Sequence, residues 1–109
     1  MALELYSGEV ATGSLTDGET LVVEVNTQAA NYIEALIDDN NGGSPSGYDL
    51  TVEFYSTSAD AYFTVSESTS LNASDPGIDN EIRAQKVRVT LDANATADYR
   101  LSVETFKEI

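Results

Sequence analysis

Apolar and polar residues alternate with a period of two in run after run of this chain, the spacing that sends successive side chains to opposite faces of a β-strand. Leu3 and Leu5 open a first run that continues to about Val10. After Thr16-Asp17-Gly18-Glu19 a second run follows, in which Leu21, Val23 and Val25 share a face. Asp17-Gly18 carries the signature of a type I′ turn, whose two central residues both need positive φ. Residues 1–26 therefore read as a hairpin, with Leu21 facing Ser14, Val23 facing Thr12 and Val25 facing Val10.

Residues 30–37 have two readings. Ile33 and Ile37 fit one helical face, while Ile33, Ala35 and Ile37 alternate as a strand. A helix this short is marginal in water, so the strand is the expectation. Tyr48, Leu50, Val52 and Phe54 face one way and Asp49, Thr51, Glu53 and Tyr55 the other, the cleanest alternation in the chain. Ala61, Phe63 and Val65 repeat it after a short connection. Val87, Val89 and Leu91 form a further run, and Tyr99, Leu101 and Val103 another; Ile82 and Ala84 lie out of phase, which places a bend or bulge near Ala84–Gln85. A hairpin centred on Ala95 sets Val89 beside Leu101 and Lys86 across from Glu104.

Seven strand candidates with frequent turns predict an all-β fold: an antiparallel two-sheet sandwich of about seven strands, Greek-key or jelly-roll-like, formed by residues 1–109 as one domain. The expected core is Leu5, Val10, Leu21, Val23, Val25, Ile33, Leu50, Val52, Phe54, Phe63, Val65, Val87, Val89, Leu101 and Val103.

Charge changes this picture most. The 109 residues carry 19 acids, 5 bases and no His, for a net charge of −14, well beyond the magnitude of about 2–8 that suffices for solubility. Such self-repulsion opposes compactness in dilute buffer but is screened in concentrated salt, where the Debye length falls to about 3 Å at 1 M. The composition points to a halophilic setting. All five bases (Arg83, Lys86, Arg88, Arg100 and Lys107) lie in residues 83–109, which leaves residues 1–82 with acids alone. Nucleic acid is excluded as an expected partner, because binding its backbone needs a basic footprint.

There is no Cys, so neither a disulfide nor a thiolate metal site is available. The start of the chain lacks the basic and apolar stretches of a signal peptide, and no segment has the run of about 18 apolar residues that membrane insertion needs.

Two acidic loops are candidates for metal, with calcium as the fitting ion and no cofactor as the default. Asp38, Asp39 and Asn41, with Asp49 nearby, cluster oxygen donors in a Gly-rich connection, although Gly42 or Gly43 falls where an EF-hand needs a ligand. Asp75, Asp79 and Glu81 form the second group around the turn signature Pro76-Gly77. Either loop also reads as an ordinary solvated connection.

Without His or Cys the usual general base and thiol nucleophile are missing. A catalytic carboxylate pair needs a deep cleft that so small a sandwich hardly offers. The chain is expected not to be an enzyme. Sequons at Asn72-Ala73-Ser74 and Asn94-Ala95-Thr96 matter only in a secretory setting.

Lys86, Arg88, Arg100 and Glu104 form a candidate basic patch for docking, with Tyr55 and Tyr62 as candidate exposed contacts. The expectation is a non-catalytic structural or assembly module of a halophilic system, such as a virion decoration, turret or tail component. It would bind itself or a larger scaffold, in a virion or an extracellular high-salt environment, with the cytoplasm as the other location. The alternative is a carbohydrate- or cell-surface-binding module supported by calcium.

Overall fold

A computed structural model describes residues 2–27, 30–43, 45–71, 76–82 and 84–109, with residues 76–80 described by their backbone. The alternating runs fold into eight strands: β1 (Leu3–Leu15), β2 (Thr20–Asn26), β3 (Tyr32–Asp38), β4 (Tyr48–Ser56), β5 (Ala61–Leu71), β6 (Pro76–Glu81), β7 (Lys86–Ala93) and β8 (Ala97–Glu108). The ambiguous run at 30–37 is a strand, and the bend at Ala84–Gln85 lies where the break in phase places it. The eighth strand, β6, begins at Pro76, where the sequence signals a turn.

The strands form two antiparallel sheets, ordered β1-β8-β3-β6 and β2-β7-β4-β5. Among the described strands only β4 and β5 are consecutive neighbours in one sheet; every other connection crosses between the sheets. This interleaving is that of an eight-stranded jelly roll.

Two expected hairpins are therefore corners instead. The Thr16–Glu19 turn forms, with Glu19 N donating to Thr16 O at 3.0 Å, but only Gly18 takes positive φ (91°), so it is not type I′. Its backbone bonds to the end of β7, Gly18 N to Ala93 O at 2.8 Å and Ala93 N to Glu19 O at 2.9 Å. β1 then pairs with β8 and β2 with β7. At the other corner Asn94 N donates to Gly47 O at 2.9 Å, and Tyr99, whose hydroxyl also reaches Gly47 O at 2.7 Å, packs edge-on against Tyr48 with ring centroids 6.2 Å apart. Alternation fixes which face of a strand is buried, but either a sheet neighbour or a facing sheet can bury it.

Ile33, Ala35 and Ile37 of β3, Tyr48, Leu50 and Val52 of β4, the inward positions of β7 (Val87, Val89, Leu91, Ala93) and Tyr99, Leu101 and Val103 of β8 are buried between the sheets. Each large side chain so removed from water contributes roughly 1.5–3 kcal/mol before entropy is counted. Leu5, Val10, Phe63 and Val65, all expected in the core, are instead exposed. Val10 pairs with Ser102 and shares its outward face. The register of β1 slips between Leu5 and Ser7, and this bulge at Tyr6 turns Leu5 outward beside Phe106. Val65 occupies a similar slip between Val52 and Glu53 of β4, while Phe63, opposite Phe54, sits at the open side of edge strand β5. No helix among the described residues is long and apolar enough to cross a membrane.

Candidate functional site

The outward face of β7 is built by two short steps of register. Glu24, Arg88 and Glu53 lie side by side across β2, β7 and β4, and Tyr55 and Tyr62 are opposite one another on β4 and β5. Arg88 donates to both carboxylate oxygens of Glu53, at 2.9 and 3.1 Å, and approaches Glu24 at 4.0 Å. Its guanidinium also lies 4.2 Å from the Tyr62 ring centre, and Lys86 Nζ lies 5.0 Å from that of Tyr55. The two rings meet edge to face at 5.4 Å. Glu53 holds the Arg88 guanidinium above its ordinary pKa, and burial raises the Tyr62 hydroxyl. Tyr55 is raised by donating its hydroxyl to Asp60.

The expected single basic patch does not form, because β7 and β8 belong to different sheets. Lys86 pairs in register with Asn26, not with Glu104. Arg100 lies on the other outer face, where it donates to Asp38 and Asp38 in turn is held below the usual carboxylate range. Glu104 is flanked by Gly8 and Glu34. That places two half-buried carboxylates directly opposite each other, and Asp49 and Asp92 repeat the arrangement on the other sheet. Like charges so placed oppose sheet pairing. These two pairs join distant segments, so no local pattern in the sequence announces them.

The acidic candidates of the first loop are engaged in closing it. Asp38 Oδ1 accepts from Asn40 N at 2.9 Å, and Asp39 Oδ1 accepts from the backbone of Asn41 and Gly43 at 2.8 and 2.9 Å. Asp49 Oδ1 accepts from Ser70 N and from the Asn94 amide, at 2.8 and 2.9 Å. Among the described residues no three acids gather as a metal would require. Asp75 and the Asp79 side chain lie outside the described residues, as does the Asn72 sequon; Glu81 is exposed at the end of β6.

One open cleft of about 650 Å³ lies at the end of the sandwich, between Phe54, Phe63, Ile82 and Ala84. Thr27, the buried hydroxyl at its floor, is spent on Ala84 O at 2.5 Å.

Sequence reasoning missed the side formed by β1. Eight large apolar side chains are exposed among the described residues, and four of them, Leu3, Leu5, Tyr6 and Val10, belong to this one edge strand. Ile109 is exposed beside them, its amide bonded to Ala2 O at 3.1 Å. The signal is present as Leu5 and Val10, but their alternation points to the core, because the bulge and the true neighbour of β1 are set by distant β8.

The fold and this surface define a jelly-roll sandwich with an apolar edge. No known protein family matches the chain by sequence, and no curated protein matches it significantly. Among solved structures it is similar to the Yersinia pseudotuberculosis-derived mitogen, with a TM-score of 0.60 and 9% identity over 94% of this chain and 86% of that one. At that identity the likeness is one of fold.

Proposed function

We propose that this protein is a non-catalytic interaction module, a structural subunit that docks through the β1 side of its sandwich in strongly saline surroundings. The observation that carries this reading is the gathering of Leu3, Leu5, Tyr6 and Val10 on one edge strand. An edge strand offers unpaired backbone groups as well as apolar side chains, a combination that ordinarily pairs with another chain unless Lys, Pro or burial blocks it. β1 contains neither Lys nor Pro.

The saline setting is supported by the net charge of −14 and by the two carboxylate pairs, Glu34 with Glu104 and Asp49 with Asp92. Concentrated salt relieves both the global and the local repulsion. A decoration, turret or tail component of a virion in brine is the particular role that best joins these properties. Jelly rolls serve in capsids, and also in lectins, so the fold enters only by analogy. The lack of His and Cys supports a role without catalysis. A sugar-binding module finds less support, since the rings of Tyr55 and Tyr62 are covered by Lys86 and Arg88.

Photo-crosslinking tests the reading. A benzophenone side chain is placed at Leu5 or, as control, at Val65 on the far edge, and irradiated in high-salt extract of the organism that encodes the chain. Attachment from Leu5 to one defined protein, whether this chain or another, is the expected result. Absent or diffuse attachment from Leu5 overturns docking through β1.

A further inference from the structure

The proposed docking surface still needs an occupant, and the chemistry of β1 restricts it. Beyond the Tyr6 bulge, Ser7–Leu15 pairs with β8 without a slip, and its opposite edge pairs with no described strand. An unpaired edge of this length is filled by another extended strand, which continues the ladder.

The four edges of the sandwich differ. β2 has seven residues and includes Glu24, whose carboxylate is engaged near Arg88. β5 is interrupted by the slip at Val65, and β6 has six residues and begins with Pro. Ser7–Leu15 holds one charge, Glu9, in a chain of net charge −14. It is the long, regular and nearly neutral edge.

We infer that β1 pairs antiparallel with β1 of a second copy about a two-fold axis at Val10, which joins the two β1-β8-β3-β6 sheets into one. This inference rests on the docking reading above and names its partner. An antiparallel two-fold makes each residue meet its own complement. With the axis at Val10, the most exposed of the strand's large apolar residues (61%) meets its own counterpart, Gly8 meets Thr12 and Ser7 meets Gly13. Glu9, the one charge of Ser7–Leu15, meets Ala11, so no acid directly faces an acid along this regular segment.

A specific dimer hides roughly 600–1,000 Å² on each partner. The extents of 37 and 18 Å along the longest and shortest axes bound the outline of one side of the sandwich at about that order, so the joined edge must use most of its side. The net charge opposes two copies meeting, so the dimer forms in concentrated salt and dissociates in dilute buffer.

The absence of Cys permits a direct test in the purified full chain, with V10C and, on the far edge, V65C. Directly opposed residues of an antiparallel pair lie within the Cα separation of about 4.4–6.8 Å that a disulfide spans. In about 3 M KCl under mild oxidation, V10C is expected to become a covalent dimer and V65C to remain monomeric, with V10C dimers sharply reduced in about 0.15 M KCl. Sedimentation of the Cys-free V10K variant is expected to show at least about a tenfold weaker dimer than the parent.

A folded parent that stays monomeric in concentrated salt overturns the inference. So does an oligomer in which V65C crosslinks and V10C does not. If, in addition, Leu5 photo-crosslinks to a foreign protein, docking through β1 stands while the second copy falls; if Leu5 attaches to nothing, both fall.

Discussion

The central strands and the long edge strands are written in the same alternating code, yet they end in different environments. β7 and β8 each have a neighbour on both sides, and every inward residue from Val87 to Ala93 and from Tyr99 to Thr105 is buried. β1 and β5 have a neighbour on one side, each contains a register slip, and Leu5, Val10, Phe63 and Val65 are exposed. Alternation thus reports a strand reliably, but it fails to report burial on the long edge strands that contain a register slip, whereas the short, regular edge strand β2 still buries Val23 and Val25. An apolar residue left on an open edge is free to serve in contact with another chain.

The sharpest break of this comparison is a pair of truncations. Leu101→Ala is expected to lose about 2–5 kcal/mol, as buried large-to-small changes do. Val10→Ala, on an exposed strand position, is expected to change monomer stability by no more than about 0.5 kcal/mol. Urea unfolding of both variants in concentrated salt measures the contrast, and equal losses would mean that β1 is covered in the monomer after all.

Tyr99 tests what holds the corner between β7 and β8. Its fully buried ring is already part of the core, so Tyr99→Phe isolates the hydroxyl bonded to Gly47 O. A loss of about 0.5–1.5 kcal/mol is expected, the net worth of one hydrogen bond, because Gly47 O keeps the bond from Asn94 N. No measurable loss would place the anchoring of this corner in Asn94 N alone.

The same corner explains what could be read beforehand. The β4–β5 hairpin, the strand at 32–38 and most of the inward set were legible, because each depends on a local period of two. The β1–β2 and β7–β8 hairpins were not, since Asp17-Gly18 specifies a tight reversal but not whether the chain returns within its own sheet. Once those partners changed, so did every site that depended on them. Lys86 and Arg88 lie on one outer face and Arg100 and Glu104 on the other, so the expected single basic patch becomes two separate groups in which Arg88 pairs with Glu53 and Arg100 with Asp38. The exposed apolar edge was hidden in the sequence for the opposite reason: its residues look like core, and only the slip at Tyr6 and the neighbour β8 turn them out.

A smaller effect distinguishes the outer faces. Glu34 and Glu104 oppose each other across β3 and β8, whereas Glu53 opposes Arg88 across β4 and β7. Glu34→Gln is therefore expected to stabilise the fold by about 0.2–1 kcal/mol in dilute buffer, and the gain should shrink in concentrated KCl as screening removes the repulsion. Glu53→Gln should destabilise under the same dilute conditions. A Glu34→Gln gain that is independent of salt would show that shape or solvation, and not charge, limits this row.

The smallest effect concerns an ion pair that ties the first acidic loop to the sheet. The hydrogen bond donated by Arg100 holds the Asp38 carboxyl below its ordinary value, with a further contribution from Asn40 N. A folded-state pKa lowered below the unfolded one, which is about 3.9 for Asp, gives stability that is fully present above that value and is lost as pH falls through the folded pKa. The parent should therefore lose this contribution only in the acid range below about pH 4, and Asp38→Asn should lack that part of the acid dependence. Because the pair is partly open to solvent, the difference at neutral pH should be slight. Stability curves of the two proteins that run parallel from pH 7 down to pH 2 would mean that Asp38 serves the loop through Asn40 and that Arg100 adds nothing to the fold.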